Sequence, residues 1–298
     1  MESTRDIKGR IKSVTNIQQI TKAMKMVAAA RLRKAEEKAH GARPYADKVE
    51  ELLRRASSAA PGYSNPLLAE RETKVTGYLI ICGDKGLAGA YNSNVMKQTL
   101  AEIAGKDPES YRLYVCGKQA RNYLKFRGYR MDSYHFGFSD KPSADDSIAL
   151  AKEVIGLFSK GEIDEVKIIY TKFYTALRQQ VAVARLLPIE APEAEEAAEE
   201  TTTADGIKVT KGEIPYIFMP NASAVLDNLL PEYVQVQIYS AMLQSAASEL
   251  GSRMAAMSAA TDNATERIAD LNLSYNKARQ AQVTNEISEI VGGANALE

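Results

Sequence analysis

Both ends of the chain carry long heptad repeats uninterrupted by proline, and few folds can accommodate such a pattern. Near the start, Val14, Ile17, Thr21, Met24, Ala28, Arg31 and Ala35 alternate steps of three and four. Near the end, Leu250, Met254, Met257, Thr261, Ala264, Ile268, Leu271, Tyr275 and Ala278 do the same. A repeat of about 3.5 residues falls short of the roughly 3.6 of a straight helix, so such seams stay in register only when two helices coil left-handedly about each other. Each terminal segment is expected to take the other as partner, with the middle of the chain attached to the rod they form.

The first segment starts at a helix N-cap, Ser3 followed by Asp6, and runs without proline to Pro44. Gly41 and Pro44 could bend it, but the pattern resumes through Val49, Leu52 and Leu53 before Pro61 and Gly62 end it. About 55 helical residues would reach about 80 Å. At the other end, Pro231 opens a proline-free stretch from Glu232 to Val291, a helix of about 90 Å that Gly292 and Gly293 are expected to stop. A globular domain of this size cannot cover such lengths, so much of the rod must project. Exposed Met, Leu and Ile along it imply a surrounding partner. The alanines between 241 and 260 suit a thin rod in a tight channel.

Between the ends the period changes. Val75–Cys82 reads as a buried strand closed by Gly83-Asp84-Lys85-Gly86, followed by a helix near Asn94–Ile103. Tyr111–Cys116 reads as strand, Lys118–Arg127 and Ile148–Phe158 as helices, Val166–Tyr170 and Gln179–Leu187 as strands, and Tyr216–Met219 as a short edge piece. Strands separated by helices imply a small doubly wound, Rossmann-like α/β domain with a parallel sheet. The expected division is an N-terminal rod helix over 1–60, the α/β domain over 74–220 and a C-terminal rod helix over 221–298. Within the domain, 190–206 is an acidic, solvated loop.

Composition excludes much. With 45% hydrophobic and 26% charged residues the chain is neither disordered nor fibrous. Its net charge is zero, yet Arg5, Lys8, Arg10, Lys12, Lys22, Lys25, Arg31, Arg33 and Lys34 meet almost no acid besides Asp6. No aromatics interleave with those positives, so nucleic-acid stacking has no support. Cys82 and Cys116 read as buried strand thiols in a reducing compartment. No apolar run has the length of a membrane span, and the arginine-rich start is continuous with the first seam rather than a removable leader, so the cytoplasm is the expected compartment.

Chemistry-bearing motifs are weak. The glycine-rich turn Gly83–Gly89 sits where phosphate loops occur, but no Gly-Lys is followed by Ser or Thr at the required gap, and a tight strand-to-helix turn explains it as well. His40 and His135 lack partners at metal-ligand spacing. Asp145-Asp146 and Glu195-Glu196 read as solvated charge. No catalytic, cofactor or metal site is expected.

Residues 7–36, IKGRIKSVTNIQQITKAMKMVAAARLRKAE, and 275–297, YNKARQAQVTNEISEIVGGANAL, resemble the terminal signatures of the gamma subunit of F-type ATP synthases. The segments SAASELGSRMAAMSAATDNATE at 245–266 and GYLIICGDKGLAGAYN at 77–92 resemble it too. The resemblance implies a non-catalytic central rotor shaft inside a ring of alternating alpha and beta subunits. Its sheet domain would sit near the membrane c-ring beside the epsilon subunit, peripheral on the cytoplasmic face of a bacterial membrane. It places Met24 where the shaft meets a beta subunit, with Lys22 and Lys25 beside it facing acidic residues, and places Arg279, Gln280, Thr284 and Glu286 at the ring's catch loops. Met24 is also a heptad position, so plain seam packing stays open for it. Gln282, Ile17 and the acidic 190–200 stretch depart from the family's habit, and the paired cysteines of chloroplast relatives are missing, so a thiol switch is not expected. Two other readings stand beside the rotor: a nucleotide-dependent α/β enzyme and a free-standing coiled-coil adaptor.

Overall fold

A computed structural model describes residues 3–60, 62–190, 201–202, 208–209, 216 and 218–295, the side chains of 292–295 and of the two dipeptides excepted. Helix α1, Thr4–Ala59, begins at Ser3, whose hydroxyl accepts from the Asp6 amide at 3.2 Å. It runs unbroken through Pro44. Helix α5, Ala222–Asn295, spans 74 residues, about 110 Å.

Two boundaries of α5 differ from expectation. It starts nine residues ahead of Pro231, with the Asn221 side chain accepting from the Ala224 amide at 2.8 Å. The helix survives its proline because Leu226, Leu229, Leu230 and Val234 are all buried on the domain, and that burial outweighs one missing hydrogen bond. At the other end the helix continues through Gly292 and Gly293 to Asn295. A glycine costs a helix about 1 kcal/mol, which weakens it without terminating it.

The sheet carries strands β1 (Thr76–Ile81), β2 (Tyr111–Cys116), β3 (Ser133–His135), β4 (Glu165–Phe173) and β5 (Gln179–Leu187), in the order β3-β2-β1-β4-β5. All pairs are parallel except β4–β5. Helices α2 (Tyr91–Ile103), α3 (Lys118–Phe126) and α4 (Ala144–Ser159) make the crossovers. Alternation sends Tyr78, Ile80, Leu113 and Val115 to one face, against Val95, Met96, Ala120 and Leu124 of α2 and α3. Leu79, Ile81, Tyr114 and Cys116 go to the other, against Phe158 and Val154 of α4, Leu53 of α1 and Leu226–Met242 of α5. Both faces of β1 are covered, hence its uninterrupted apolar run.

At the described residues of the expected edge piece Tyr216–Met219 there is no strand: Tyr216, Phe218 and Met219 lie outside one. The Tyr216 ring instead sits beneath Arg55 and Lys48 of α1, at 4.5 and 5.6 Å, and stacks on Phe218. Most of the acidic 190–206 loop lies outside the described residues; within it Thr201–Thr202 (β6) pairs antiparallel with Lys208–Val209 (β7).

Gly117 closes β2 at φ +109°, and a Cβ there would stand 2.3 Å from the Cys82 carbonyl oxygen. Gly117→Ala should therefore lose about 2–4 kcal/mol, combining backbone strain with displacement of β1 from β2. Urea denaturation of the full-length chain checks this.

Candidate functional site: the shaft and its joint

The two terminal helices pair antiparallel, each step along α1 matched by a step back along α5. Lys25 Nζ donates to Ser258 Oγ at 2.9 Å, Thr21 meets Thr261 at 2.9 Å, Gln18 donates to Thr265 Oγ1 at 2.7 Å and Thr4 donates to Gln282 Oε1 at 3.1 Å. On α5 the nine heptad positions from Leu250 to Ala278 are all buried or half-buried.

On α1 the seam differs from the expected one. Leu32 is 5% exposed and Gln18 half-buried, whereas Ile17 is 53% exposed and Arg31 points outward. The contact stripe steps from Val14, Thr21, Ala28 and Ala35 by four rather than by three. Both choices fit a heptad equally, and only the partner decides between them. The displaced positions form a second stripe: Ile17, Ile20, Met24 and Val27 lie about 90° round from the paired face at about 100° per residue. Ile20 and Val27 are 59% and 53% exposed and Met24 is half-buried. Met24 thus borders both stripes, at the edge of the seam and of the exposed apolar face. Lys22 falls on the opposite flank of the seam, so Met24 and Lys22 are not brought together; Lys25 lies between, held by Ser258.

Beyond Gln282, α5 runs on alone among the described residues for about 20 Å. Val283, Ile287, Ile290 and Val291, each about half exposed or more, make one stripe on this tip, turned away from the seam. Arg279 and Glu286 flank the stripe on one side, Gln280 and Thr284 on the other. All four are exposed. Thr284 donates to the Gln280 carbonyl at 2.9 Å, and Glu286 accepts from Gln282 at 2.9 Å.

Where the rod meets the sheet, α5 crosses the carboxyl ends of β1 and β4. Ser245 Oγ accepts from the Thr171 amide at 3.3 Å and Ser248 Oγ donates to the Thr171 carbonyl at 3.2 Å. A Cβ on Gly251 would come 2.9 Å from Gln179 and 3.2 Å from the Ala176 carbonyl oxygen. The small residues at 241–251 serve this close crossing, being largely buried in the domain rather than lining a free rod.

In an open α/β sheet ligands bind in the crevice at the carboxyl ends of the strands. Here α5 occupies it: the cavity left among Ile81, Cys82, Tyr91, Met242 and Ser245 measures about 10 Å³, room for about one water. The glycine turn is spoken for as well. Asn92 Oδ1 accepts from the Gly83 amide at 3.0 Å, Ser139 Oγ from that of Asp84 at 3.0 Å, and the Asp84 carboxylate takes the Lys118 and Gly137 amides at 3.0 and 2.9 Å. The amides around this turn are thus taken by side chains of the chain itself. Burial pushes the Cys82 thiol up to about 12 and raises that of Cys116 also, so neither is a nucleophile at neutral pH.

An ionic joint, missed by sequence reasoning, ties rod to domain. Asp140 receives Arg31 of α1 at 3.1 Å, Lys85 of the glycine turn, and Arg253 of α5 at 3.9 Å. Arg253 also pairs with buried Glu249 and reaches the Gly86 carbonyl at 3.4 Å. Glu249 and Arg253 stand four apart on one helix, a spacing visible in the chain, but their burial is not. Desolvation raises the Glu249 pKa, with Arg253 opposing the rise.

Fold and site together define a stalk protein: a two-helix rod locked into an α/β foot, its ligand crevice filled by its own helix. The same fold occurs in a Euglena gracilis mitochondrial ATP synthase structure containing OSCP, F1 and the c-ring (TM-score 0.66, 19% identity, covering 99% of this chain and 94% of that one). It recurs in the central stalk and c-ring structure of the Tetrahymena thermophila mitochondrial enzyme (TM-score 0.61, 24% identity, 81% and 99% covered). A family model described as ATP synthase matches residues 3–297. The ATP synthase gamma chains of Heliobacterium modesticaldum and Desulfitobacterium hafniense are 47% and 45% identical over 298 residues, all of each chain. The chain belongs to the ATP synthase gamma-chain family.

Because its folded pKa is raised, Glu249 favours the folded state most below the ordinary carboxylate range and progressively less as pH rises through the window above it. Arg253→Met removes the opposing cation and should cost about 3–5 kcal/mol at pH 7, partly recovered at pH 5 as Glu249 takes up a proton. Glu249→Gln combined with Arg253→Met should recover most of the loss at both pH values. Urea titrations of the three chains decide it.

Proposed function

We propose that the chain is the non-catalytic central rotor shaft of an ATP synthase. On this reading it couples ion-driven rotation of a membrane c-ring to conformational change in the catalytic beta subunits, for synthesis or hydrolysis of ATP. The rod, 1–60 with 221–298, stands within a ring of alpha and beta subunits; the sheet domain, 74–220, with the epsilon subunit, faces the c-ring. The chain thus sits peripherally on the cytoplasmic face of a bacterial membrane. Among the described residues no helix is long and apolar enough to cross one.

The observation that carries this reading is the one-sidedness of a continuous rod. Its lone tip exposes an apolar stripe on one half only, bordered by Arg279, Glu286, Gln280 and Thr284. A ring of three equivalent partners around such a rod meets three different surfaces at any instant. The free-energy difference between those contacts biases which partner holds which conformation, and turning the rod moves the bias on. Met24 does the same lower on the shaft, at the margin of the Ile17, Ile20, Val27 stripe.

Copurification of the chain with alpha and beta subunits is the first test, and a chain that purifies alone would overturn the reading. Met24→Lys should leave the stability of the full chain within about 1 kcal/mol, since the site is half-open. A cation in an apolar stripe pressed on a partner should nevertheless lower the ion-pumping yield per ATP hydrolysed in reconstituted vesicles. Unchanged yield would remove Met24 from the coupling surface.

A further inference from the structure

The outer edge of the sheet, two strands from β1, concentrates positive charge. Residues 118–136 hold five cations, Lys118, Arg121, Lys125, Arg127 and Arg130, against one acid, Asp132, in a chain of zero net charge. Asp132 is already committed, accepting from the Leu113 amide at 3.0 Å and standing 3.8 Å from both Arg112 and Arg130. Among the described residues, Lys118, Arg121, Lys125 and Arg127 have no carboxylate within ion-pair distance.

Their arrangement follows from the local geometry. Strand β3 pairs only with β2 and forms the edge. His135 reaches Glu153 of α4, Nε2 to Oε2 2.7 Å, so the alternation of the strand sends Tyr134 and Phe136 to the other face, towards α3. The two rings stack with centroids 5.2 Å apart. Three residues of α3, just short of one turn, advance about 4.5 Å, close to that spacing, so Lys118 lies over Phe136 at 4.9 Å and Arg121 over Tyr134 at 4.5 Å. Arg127 covers Tyr123 at 5.1 Å, and beside it Phe126 is 91% exposed.

Protecting an edge strand takes a cation or two. It does not explain five, nor the two exposed phenylalanines among them, and Arg121 and Lys125 repel each other at i, i+4. Acid supplied from outside would relieve that repulsion. Arginine and aromatic residues around an apolar centre are the composition of protein interfaces. The rings are engaged with cations and with each other, which argues against a platform for stacked bases.

We propose that the α3–β3 face is a docking surface for a second polypeptide of the same assembly, one presenting carboxylates around an apolar residue. This rests on the stalk reading, because it requires an assembly.

The test is carbodiimide cross-linking, which joins lysine to carboxylate without a spacer, and amide hydrogen exchange, both on the intact complex and on the isolated full-length chain. The proposal expects a bond from Lys118 or Lys125 to an acidic residue of another subunit, and exchange across 118–136 slowed about tenfold on assembly. In an Arg121→Glu, Lys125→Glu chain that protection should be lost while copurification with alpha and beta subunits persists. Equal exchange in the complex and the isolated chain overturns the proposal, as does protection gained only on adding phosphatidylglycerol vesicles. Failure to copurify would instead refute the stalk reading itself.

Discussion

The crossing of α5 over the carboxyl ends of the sheet is the constraint on which the rest depends. One uninterrupted helix serves as core element, crevice plug and shaft, so no hinge separates the domain from the rod. Leu226, Val234 and Ile238 are fully buried on the sheet side, and Leu250, Met257 and Leu271 are buried against α1. A torque applied at one end is therefore carried by helix backbone and side-chain packing rather than by a loop. The ionic joint adds orientation. Its parts are unequal: Arg31 is half exposed, so its pair with Asp140 contributes little, whereas Glu249 and Arg253 are nearly sealed off from water and neither can be removed alone without stranding a charge.

The seam takes in more polar pairs with distance from the domain. Close in, Leu32 and Ala35 face Ala247 and Leu250; farther out the pairs Thr21 with Thr261, Gln18 with Thr265 and Thr4 with Gln282 join buried apolar residues such as Ile7 and Leu271. Polar seam pairs fix register at a cost in stability. The exposed apolar stripes of the outer shaft leave a large share of its burial to be completed by other chains.

Much of this was legible in the chain. Strand β5 falls on the expected residues, β2 likewise, and the alternating strand–helix pattern led to the doubly wound sheet. Four features were not legible, for different physical reasons. Which of two heptad stripes on α1 faces α5 depends on the partner, since Ile17 and Gln18 are one step apart and a repeat accepts either. Pro231 reads as a helix start because local rules assign it there, and only the burial of Leu226 to Leu230 overrides them. Strand β3 is three residues long, too short for alternation to register, and the partners of Asp140 lie scattered from Arg31 to Arg253. Of the site residues, those on the tip border one apolar stripe by helix geometry alone, whereas Lys22, which the resemblance sets beside Met24, lies on the opposite flank of the seam.

Filling the crevice with α5 also explains how a nucleotide-type fold comes to serve a mechanical subunit. The glycine turn lies where phosphate loops occur in such sheets, but Asn92 and Ser139 take its amides, Asp84 takes those of Lys118 and Gly137, and Ser245 and Ser248 bond the backbone of β4. The polar groups of the turn are satisfied within the domain, and α5 fills the space beside them. A ligand crevice is a place where several strands and loops converge on one point. For that reason it is also where a shaft can be gripped from several sides at once.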